Sequence, residues 1–542
     1  MKCLFNLFSA VVGALFCLPT TAAEGVVDYH VVPLPRSVVM QKGDAFVLSA
    51  DTKIVYPGGN AEMKRNAEFL AEYIKESTGL SLDLSTKSRS KMADISLVLD
   101  KKVSGSEAYK LIVNKKGVTI SGASSQGVFY GIQTLRKALP IVQNTVSLKL
   151  PAVIITDAPR FSYRGMMLDC ARHYFPVSVV KEYIDLLALH NMNVFHWHLT
   201  EDQGWRIEIK KYPELTKIGS VRKKTVLGRN SNVFDDTPYG GFYTQDEARE
   251  IVRYAKERYI TVIPEIDMPG HMLGALAAYS QLGCTGGPYE VSPLWGVFDD
   301  ILCAGNDKTF DFVNGVLDEL LDIFPSEYIH LGGDEAPKTR WKSCPKCQQR
   351  IKDEHLVADG KMSAEDKLQG YFMTRVEKYL NSKGRKMIGW DEILEGNVDK
   401  SATIMSWRGM EGGLKASEMG HDVIMSPNSY AYFDHYQAKD RQHEPLLIGG
   451  YLPLSKVYSF EPVPENLSDA AKQHIFGVQA NLWTEYIAYK GLIEYQVLPR
   501  MAAMSEIQWI PSDQKNYDAF KQRLARLMDM YRMYGFTVGK ME

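Results

Sequence analysis

Two acidic residues stand side by side at Asp334 and Glu335, directly after the run His330-Leu331-Gly332-Gly333. Carboxyl groups can give and take protons at an acetal oxygen, and a neighbouring negative charge with partial burial raises one pKa above the other, separating acid from anion. Other polar and aromatic residues also follow apolar runs: Asp169 and Arg172; His196, His198 and Glu201; Glu265, Asp267 and His271; Trp390, Asp391 and Glu392; Trp407; Tyr432 and Asp434; Trp483 and Glu485. Indole faces are flat apolar platforms against which the C–H face of a sugar ring packs. Carboxylates and indoles together suit carbohydrate better than phosphate. The sequence holds no P-loop, G-x-G-x-x-G, G-x-S-x-G or H-E-x-x-H pattern, which weakens nucleotide, serine-hydrolase and zinc-protease readings.

The elements that position these groups are legible as β-runs alternating with amphipathic helices from residue 164 onward. Strands are expected over 165–170, 193–199, 261–266, 328–332, 386–390, 403–407, 422–425 and 476–482, with helices over 179–190, 245–257, 310–323, 367–382, 493–510 and a closing 517–534. Such alternation predicts a parallel sheet, and with eight strands a closed (β/α)8 TIM barrel, whose active groups belong on the loops after the strands. Residues 28–155 mix short β-runs at 94–99, 109–113 and 118–121 with helical patterns at 61–77 and 126–139. This predicts a small α+β domain ahead of the barrel. The expected division is 1–23 a leader, 24–157 the small domain and 158–542 the catalytic barrel with its C-terminal helix.

Composition bounds the partners. Of 542 residues, 45% are hydrophobic and 24% charged, and 63 Lys+Arg against 65 Asp+Glu leave a formal net charge of -2. That balance gives no basic field for nucleic acid. The chain opens with Met1-Lys2, an apolar run over 4–18 and Thr21-Ala22-Ala23, the order of a secretory signal and too short for a membrane span. Export to a periplasmic or extracellular space is expected. Lipid attachment at Cys17 is the weaker alternative, because bulky Phe16 precedes it. Removing the leader leaves Cys170, Cys284, Cys303, Cys344 and Cys347, an odd number, so at least one thiol is unpaired. Cys344-Pro-Lys-Cys347 is a lone C-x-x-C without an evident second pair or histidines at ligand spacing, and is read as a local disulfide or two inert thiols. Cys284 and Cys303 bracket a Gly- and Pro-containing loop and invite a cross-link in an oxidising compartment. No metal and no cofactor are expected, and oligomeric state is not readable.

Five stretches carry a family resemblance: 164–173 (Arg-Gly-Met-Met-Leu-Asp-Cys-Ala-Arg-His), 193–200 (Asn-Val-Phe-His-Trp-His-Leu-Thr), 330–335, 388–392 (Ile-Gly-Trp-Asp-Glu) and 477–485 (Gly-Val-Gln-Ala-Asn-Leu-Trp-Thr-Glu). In this order the chain resembles glycoside hydrolase family 20, the β-N-acetylhexosaminidases, from about residue 28 to 510; residues 109–134 resemble the final strand pair and helix of that family's N-terminal domain. The resemblance implies removal of terminal β-linked N-acetylglucosamine or N-acetylgalactosamine, with the substrate's own acetamido oxygen as nucleophile. It implies Glu335 as general acid and then base, and Asp334 as the anion that holds the acetamido N–H. Tyr432 would aim the acetamido oxygen, and His271 with Glu201 would form a hydrogen-bonded chain to Glu335. Glu201 stands where many members carry Asp. By the same resemblance Trp390, Trp407 and Trp483 box the sugar, Arg172 holds O3 and O4, and Asp434 and Glu485 bind O4 and O6. Trp341 is placed at the pocket border.

Plainer readings hold elsewhere. Trp197, Trp205, Trp295 and Trp509 are taken as structural, as are Arg164 and Asp202. His196 and His198 project from one face of a strand, but without an evident third ligand they are read, with His330, as buried hydrogen-bonding histidines. Arg172 could simply pair with Asp169. Two other functions compete: a disaccharide-releasing relative, disfavoured by Asp434 and Glu485, and an inactive carbohydrate-binding protein, disfavoured by intact Asp334, Glu335 and Tyr432.

Overall fold

The computed structural model describes residues 25–87, 94–396 and 398–541; the expected leader, including Cys17, lies outside the described residues. Eight parallel strands close into a barrel: Tyr163–Asp169, Val194–His198, Thr261–Glu265, Tyr328–His330, Lys386–Trp390, Thr403–Ser406, Val423–Met425 and Ile475–Leu482. Each expected barrel strand is present, most with an end displaced by one or two residues. The first is buried at every position, as a strand covered by helices outside and side chains inside must be. Tyr163, Val194, Ile263, Ile388, Met405 and Ile424 fill the barrel interior beneath Trp390. Helix Gln245–Glu257 starts at a capping box in which Thr244 and Glu247 satisfy each other's backbone N–H groups.

Two expectations are corrected. The helix expected over 493–510 is two helices, Lys490–Val497 and Arg500–Trp509, because Pro499 lacks the N–H that a continuous helix would require there. Residues 109–134 are also not the last elements of the small domain, for strands Ser147–Leu150 and Val153–Asp157 follow. Val153–Asp157 lies between Ser37–Met40 and Tyr109–Asn114 in a seven-stranded mixed sheet. Helices Ala61–Thr78 and Ser125–Ala138 pack together against the barrel side, where Phe129 meets Tyr259 with ring centroids 5.2 Å apart.

One buried ion pair joins the layers. Arg164, on the first barrel strand, reaches Glu107 of the small domain through both terminal nitrogens, at 2.7 and 3.2 Å, and donates to the Tyr130 hydroxyl at 2.8 Å. Its remaining donors meet the Asn191 and Phe161 carbonyls, so the buried guanidinium is fully satisfied.

Candidate active site

Strand register builds the site from below. His198 is paired with Glu265 on the next strand, and Glu265 with His330 on the one after. Four groups therefore converge on the Glu265 carboxylate: His196 Nε2 at 2.9 Å, His198 Nδ1 at 2.5 Å, His330 Nδ1 at 3.0 Å and the Trp390 indole N–H at 2.9 Å. Burial would raise the Glu265 pKa, but the three imidazoles hold it well below the usual carboxylate range. His198, against its own burial, is pushed up to about 10 by Glu265 and Glu201. The histidines read as hydrogen-bonding groups thus share an acidic hub, which also fixes Trp390.

The fourth strand ends in a turn that admits only glycine. Gly332 has φ +64°, and a Cβ there would stand 1.7 Å from Asp267 Oδ1; Gly333 has φ +96°. Glu335 and His271 are themselves held at positive φ, +45° and +53°, the kind of local strain that accumulates at working sites. The turn delivers Asp334 and Glu335 beside His271, whose Nε2 lies 3.4 Å from Glu335 Oε2 and 3.8 Å from Asp334 Oδ2. On the other side, His271 Nδ1 is 3.0 Å from both Glu201 Oε2 and Asp202 Oδ2. The expected chain through Glu201 is present, and Asp202, read as structural, shares it. Glu201 also pairs with Arg172 Nη2 at 2.7 Å, and Arg172 Nη1 reaches Asp169 at 3.3 Å. Against the effect of burial, Arg172 and His271 keep Glu201 charged, while Glu201 and Asp202 hold the His271 pKa well above its usual value.

Arg172, Trp295, Asp334, Glu335, Trp407, Tyr432, Asp434, Trp483 and Glu485 line one cavity of about 410 Å³ at the C-terminal mouth of the barrel. A cavity of about 480 Å³ at the opposite mouth, lined by Tyr163, Lys256, Glu327 and Phe476, offers one carboxylate and no indole. The Trp407 and Tyr432 rings stack at 6.0 Å with 13° between planes, and Trp483 packs 6.2 Å from Tyr432 and 5.9 Å from Trp390. Trp390 itself is buried behind Trp483 as floor rather than wall. Trp407 is fixed by Glu392, which accepts its indole N–H at 2.8 Å, and by Asp391, which accepts its backbone N–H at 3.0 Å.

Two tryptophans exchange places relative to the sequence reading. Trp295, taken as structural, lines the cavity; Trp341, placed at its border, is fully buried with its N–H on the Leu302 carbonyl. Both lie outside the barrel strands, where no strand period predicts a side chain's direction.

Several buried polar atoms in the cavity lack partners among the described residues: Asp334 Oδ1, Asp434 Oδ1 and Arg172 Nε. Unsatisfied buried acceptors are costly and mark places where a ligand completes the hydrogen bonding. Burial, with the charges of Glu265 and Glu335, pushes Asp334 up to about 6, although His271 opposes this. The sequence reading put a raised pKa on the proton donor and none on Asp334, whereas the structure raises Asp334. Burial and the Asp334 charge push Asp267 well above the usual carboxylate range, and the two carboxyls lie side by side. Asp267 was visible after the third strand, but its spacing carries no sign of that pairing.

Acid and imidazole groups come within metal-ligand distance of one another at His196–Glu265–His330, Glu201–Asp267–His271 and His271–Asp334–Glu335, and four cysteines do so elsewhere. In the first and third sets, and between Glu201 and His271 in the second, the groups already serve one another as ion pairs.

The glycosyl hydrolase family 20 catalytic domain matches residues 161–512, and that family's domain 2 matches residues 28–158. The chain belongs to glycosyl hydrolase family 20. It is 44% identical over 515 residues to a beta-hexosaminidase of Porphyromonas gingivalis, covering 94% of this chain and 64% of that protein. A Vibrio furnissii beta-hexosaminidase is likewise covered over 64% of its length, so the chain spans just under two thirds of these curated relatives. Among solved structures, the Streptomyces coelicolor family 20 beta-N-acetylhexosaminidase superposes with a TM-score of 0.82 at 30% identity, covering 95% of this chain and 98% of that one. A Vibrio harveyi family 20 exo beta-N-acetylglucosaminidase in complex with N-acetylglucosamine gives 0.83 at 30% identity, with coverages of 95% and 79%.

Proposed function

We propose that this family 20 chain is an exo-acting β-N-acetylhexosaminidase that hydrolyses terminal non-reducing β-linked N-acetylglucosamine or N-acetylgalactosamine with retention. One observation carries the reading. Asp334 Oδ1 is a buried acceptor without a partner among the described residues, in a cavity walled by Trp407, Tyr432 and Trp483 and beside the more exposed Glu335. An acetamido group offers what those atoms lack: an N–H for Asp334, a carbonyl oxygen for the Tyr432 hydroxyl and a methyl for the indoles.

The reaction follows from that fit. The acetamido oxygen attacks the anomeric carbon as the glycosidic C–O bond breaks, and Glu335 gives its proton to the leaving oxygen. Asp334 accepts the N–H and offsets the positive charge of the oxazolinium ring. Water then adds to the anomeric carbon from the face the aglycone left, Glu335 takes its proton, and the ring reopens with overall retention. Tyr432 aims the nucleophile. Arg172, Asp434 and Glu485 close the far end of the cavity with hydroxyl-binding groups, which supports removal of a single terminal sugar.

Two substitutions test this with nitrophenyl and defined glycan substrates. Glu335→Gln is expected to lose about 10²–10⁴-fold in kcat on a sugar leaving group and much less on nitrophenolate, which needs no proton. Asp334→Asn is expected to lose activity on both. An active Asp334→Asn enzyme would refute the assisted mechanism, as would indifference to a thiazoline mimic of the intermediate. The leader-like residues 1–23 support export to the periplasm or beyond, and a mature N-terminus at Glu24 in that fraction is the matching test.

A further inference from the structure

Cys284, Cys303, Cys344 and Cys347 bring their sulfurs together, all within 4.8 Å of one another. Cys303 Sγ lies 3.6 Å from Cys347 Sγ and 3.7 Å from Cys344 Sγ, and Cys284 Sγ lies 3.7 Å from Cys347 Sγ. A disulfide would place two of them about 2.05 Å apart and leave the other pair separate. Instead Cys303 is equally close to two partners, as a vertex of a tetrahedron is. Zinc binds thiolate at about 2.3 Å, and a regular tetrahedron with that radius has edges of about 3.8 Å. The three separations of 3.6 to 3.7 Å match those edges. The second cysteine pair that the lone C-x-x-C lacked in sequence is Cys284 with Cys303, brought in by the fold.

The surroundings suit four thiolates around one ion. Cys344 caps helix Pro345–Asp353 and Cys347 lies in its first turn, at the positive end of the helix. A Cβ on Gly305 would stand 2.1 Å from the Lys346 carbonyl carbon, so the two chain segments touch backbone to backbone. Cys303, Cys344 and Cys347 are buried. Tetrahedral four-sulfur sets select zinc or iron–sulfur chemistry, and edges this short enclose one ion without room for bridging sulfides.

We propose that these four cysteines bind one structural Zn²⁺ as a tetrathiolate, clamping the loop that carries Trp295 onto the helices that follow Glu335. Binding releases the thiol protons to solvent and requires no redox change. The clamp acts beside the pocket. Trp295, Gly296 and Val297 line the cavity, while Arg340 pairs with Asp300 at 2.7 Å and the Trp341 N–H meets the Leu302 carbonyl at 2.9 Å across the same seam. All four ligands lie away from the carboxylates and indoles of the cavity.

The test uses the full chain, expressed with zinc in the medium and purified without chelator. Elemental analysis is expected to give about one zinc per chain, released when a mercurial blocks the thiols, and a cobalt-exchanged sample should show thiolate-to-cobalt charge-transfer and tetrahedral ligand-field bands. Cys347→Ser should lose the metal and lower Tm, and Cys170→Ser should retain it. Wild-type protein carrying no stoichiometric zinc would overturn the assignment, whether intact mass finds its thiols free or joined as disulfides. Stoichiometric iron in place of zinc would overturn it equally. Because wild-type protein decides, a poorly folding cysteine variant leaves the test intact.

Discussion

His271 bridges the outermost carboxylate of the site to its buried ones: Nε2 lies 3.4 Å from Glu335 and Nδ1 lies 3.0 Å from both Glu201 and Asp202. The ring is held protonated by that pair, so it donates toward Glu335 and positions the proton donor rather than touching the bond that breaks. His271→Gln is therefore expected to lower kcat about 10–100-fold with little change in KM, and to move the alkaline limb of the rate profile. A purely structural role would leave that limb in place.

Asp334, pushed up to about 6 chiefly by burial, must be ionised to accept an N–H and stabilise a cation. The acid limb of kcat/KM is expected near pH 6, with activity falling as pH drops through it. A limb near the ordinary carboxylate value of about 4 would show that a different group limits the rate. The same shift has a stability consequence. A carboxyl with a raised folded pKa is most favourable to folding while protonated, and that contribution is lost as pH rises from about 4 through 6. Asp334→Asn should thus increase the unfolding free energy at neutral pH, by an amount on the order of 1–3 kcal/mol, and with it Tm, while removing activity.

Glu265 holds three imidazoles and the Trp390 indole. Glu265→Gln would leave buried cation and donor groups without their counter-charge and is expected to cost about 3–5 kcal/mol in a denaturant titration. In the wild type, His198 is raised to about 10, so its contribution is complete below about 6.5 and disappears as pH climbs toward 10. The mutant's stability should vary much less over that interval.

Gly332→Ala would bring a methyl within 1.7 Å of Asp267 Oδ1 at a φ of +64°. The turn must shift to relieve this. Because small displacements of reacting groups are costly, kcat/KM is expected to fall about 100-fold even where the variant remains folded by circular dichroism.

Much of this site was readable before any coordinates, and the reason is physical. Barrel strands are covered on both faces and so read as unbroken apolar runs, and the residue that follows each run must face the mouth; Asp334, Glu335, Trp407, Trp483 and Glu485 all sit at such exits. Pairings set by register or by loop closure leave no local trace. Asp267 lying beside Asp334, Asp202 sharing His271 with Glu201, and Cys284 and Cys303 meeting the distant C-x-x-C are of that kind. The exchange of Trp295 and Trp341 has the same origin, since neither sits on a barrel strand.

The Arg164–Glu107 link sets how the molecule can come apart. Pulling the small domain away would strand a guanidinium in the barrel's wall with no counter-ion, beside Asn193, which also contacts Glu107. Detachment of either layer is thereby tied to melting of the other, so a calorimetric scan should trace one shared endotherm. A barrel shorn of its first hundred and fifty or so residues should be recovered as insoluble aggregate rather than as a minimal catalyst.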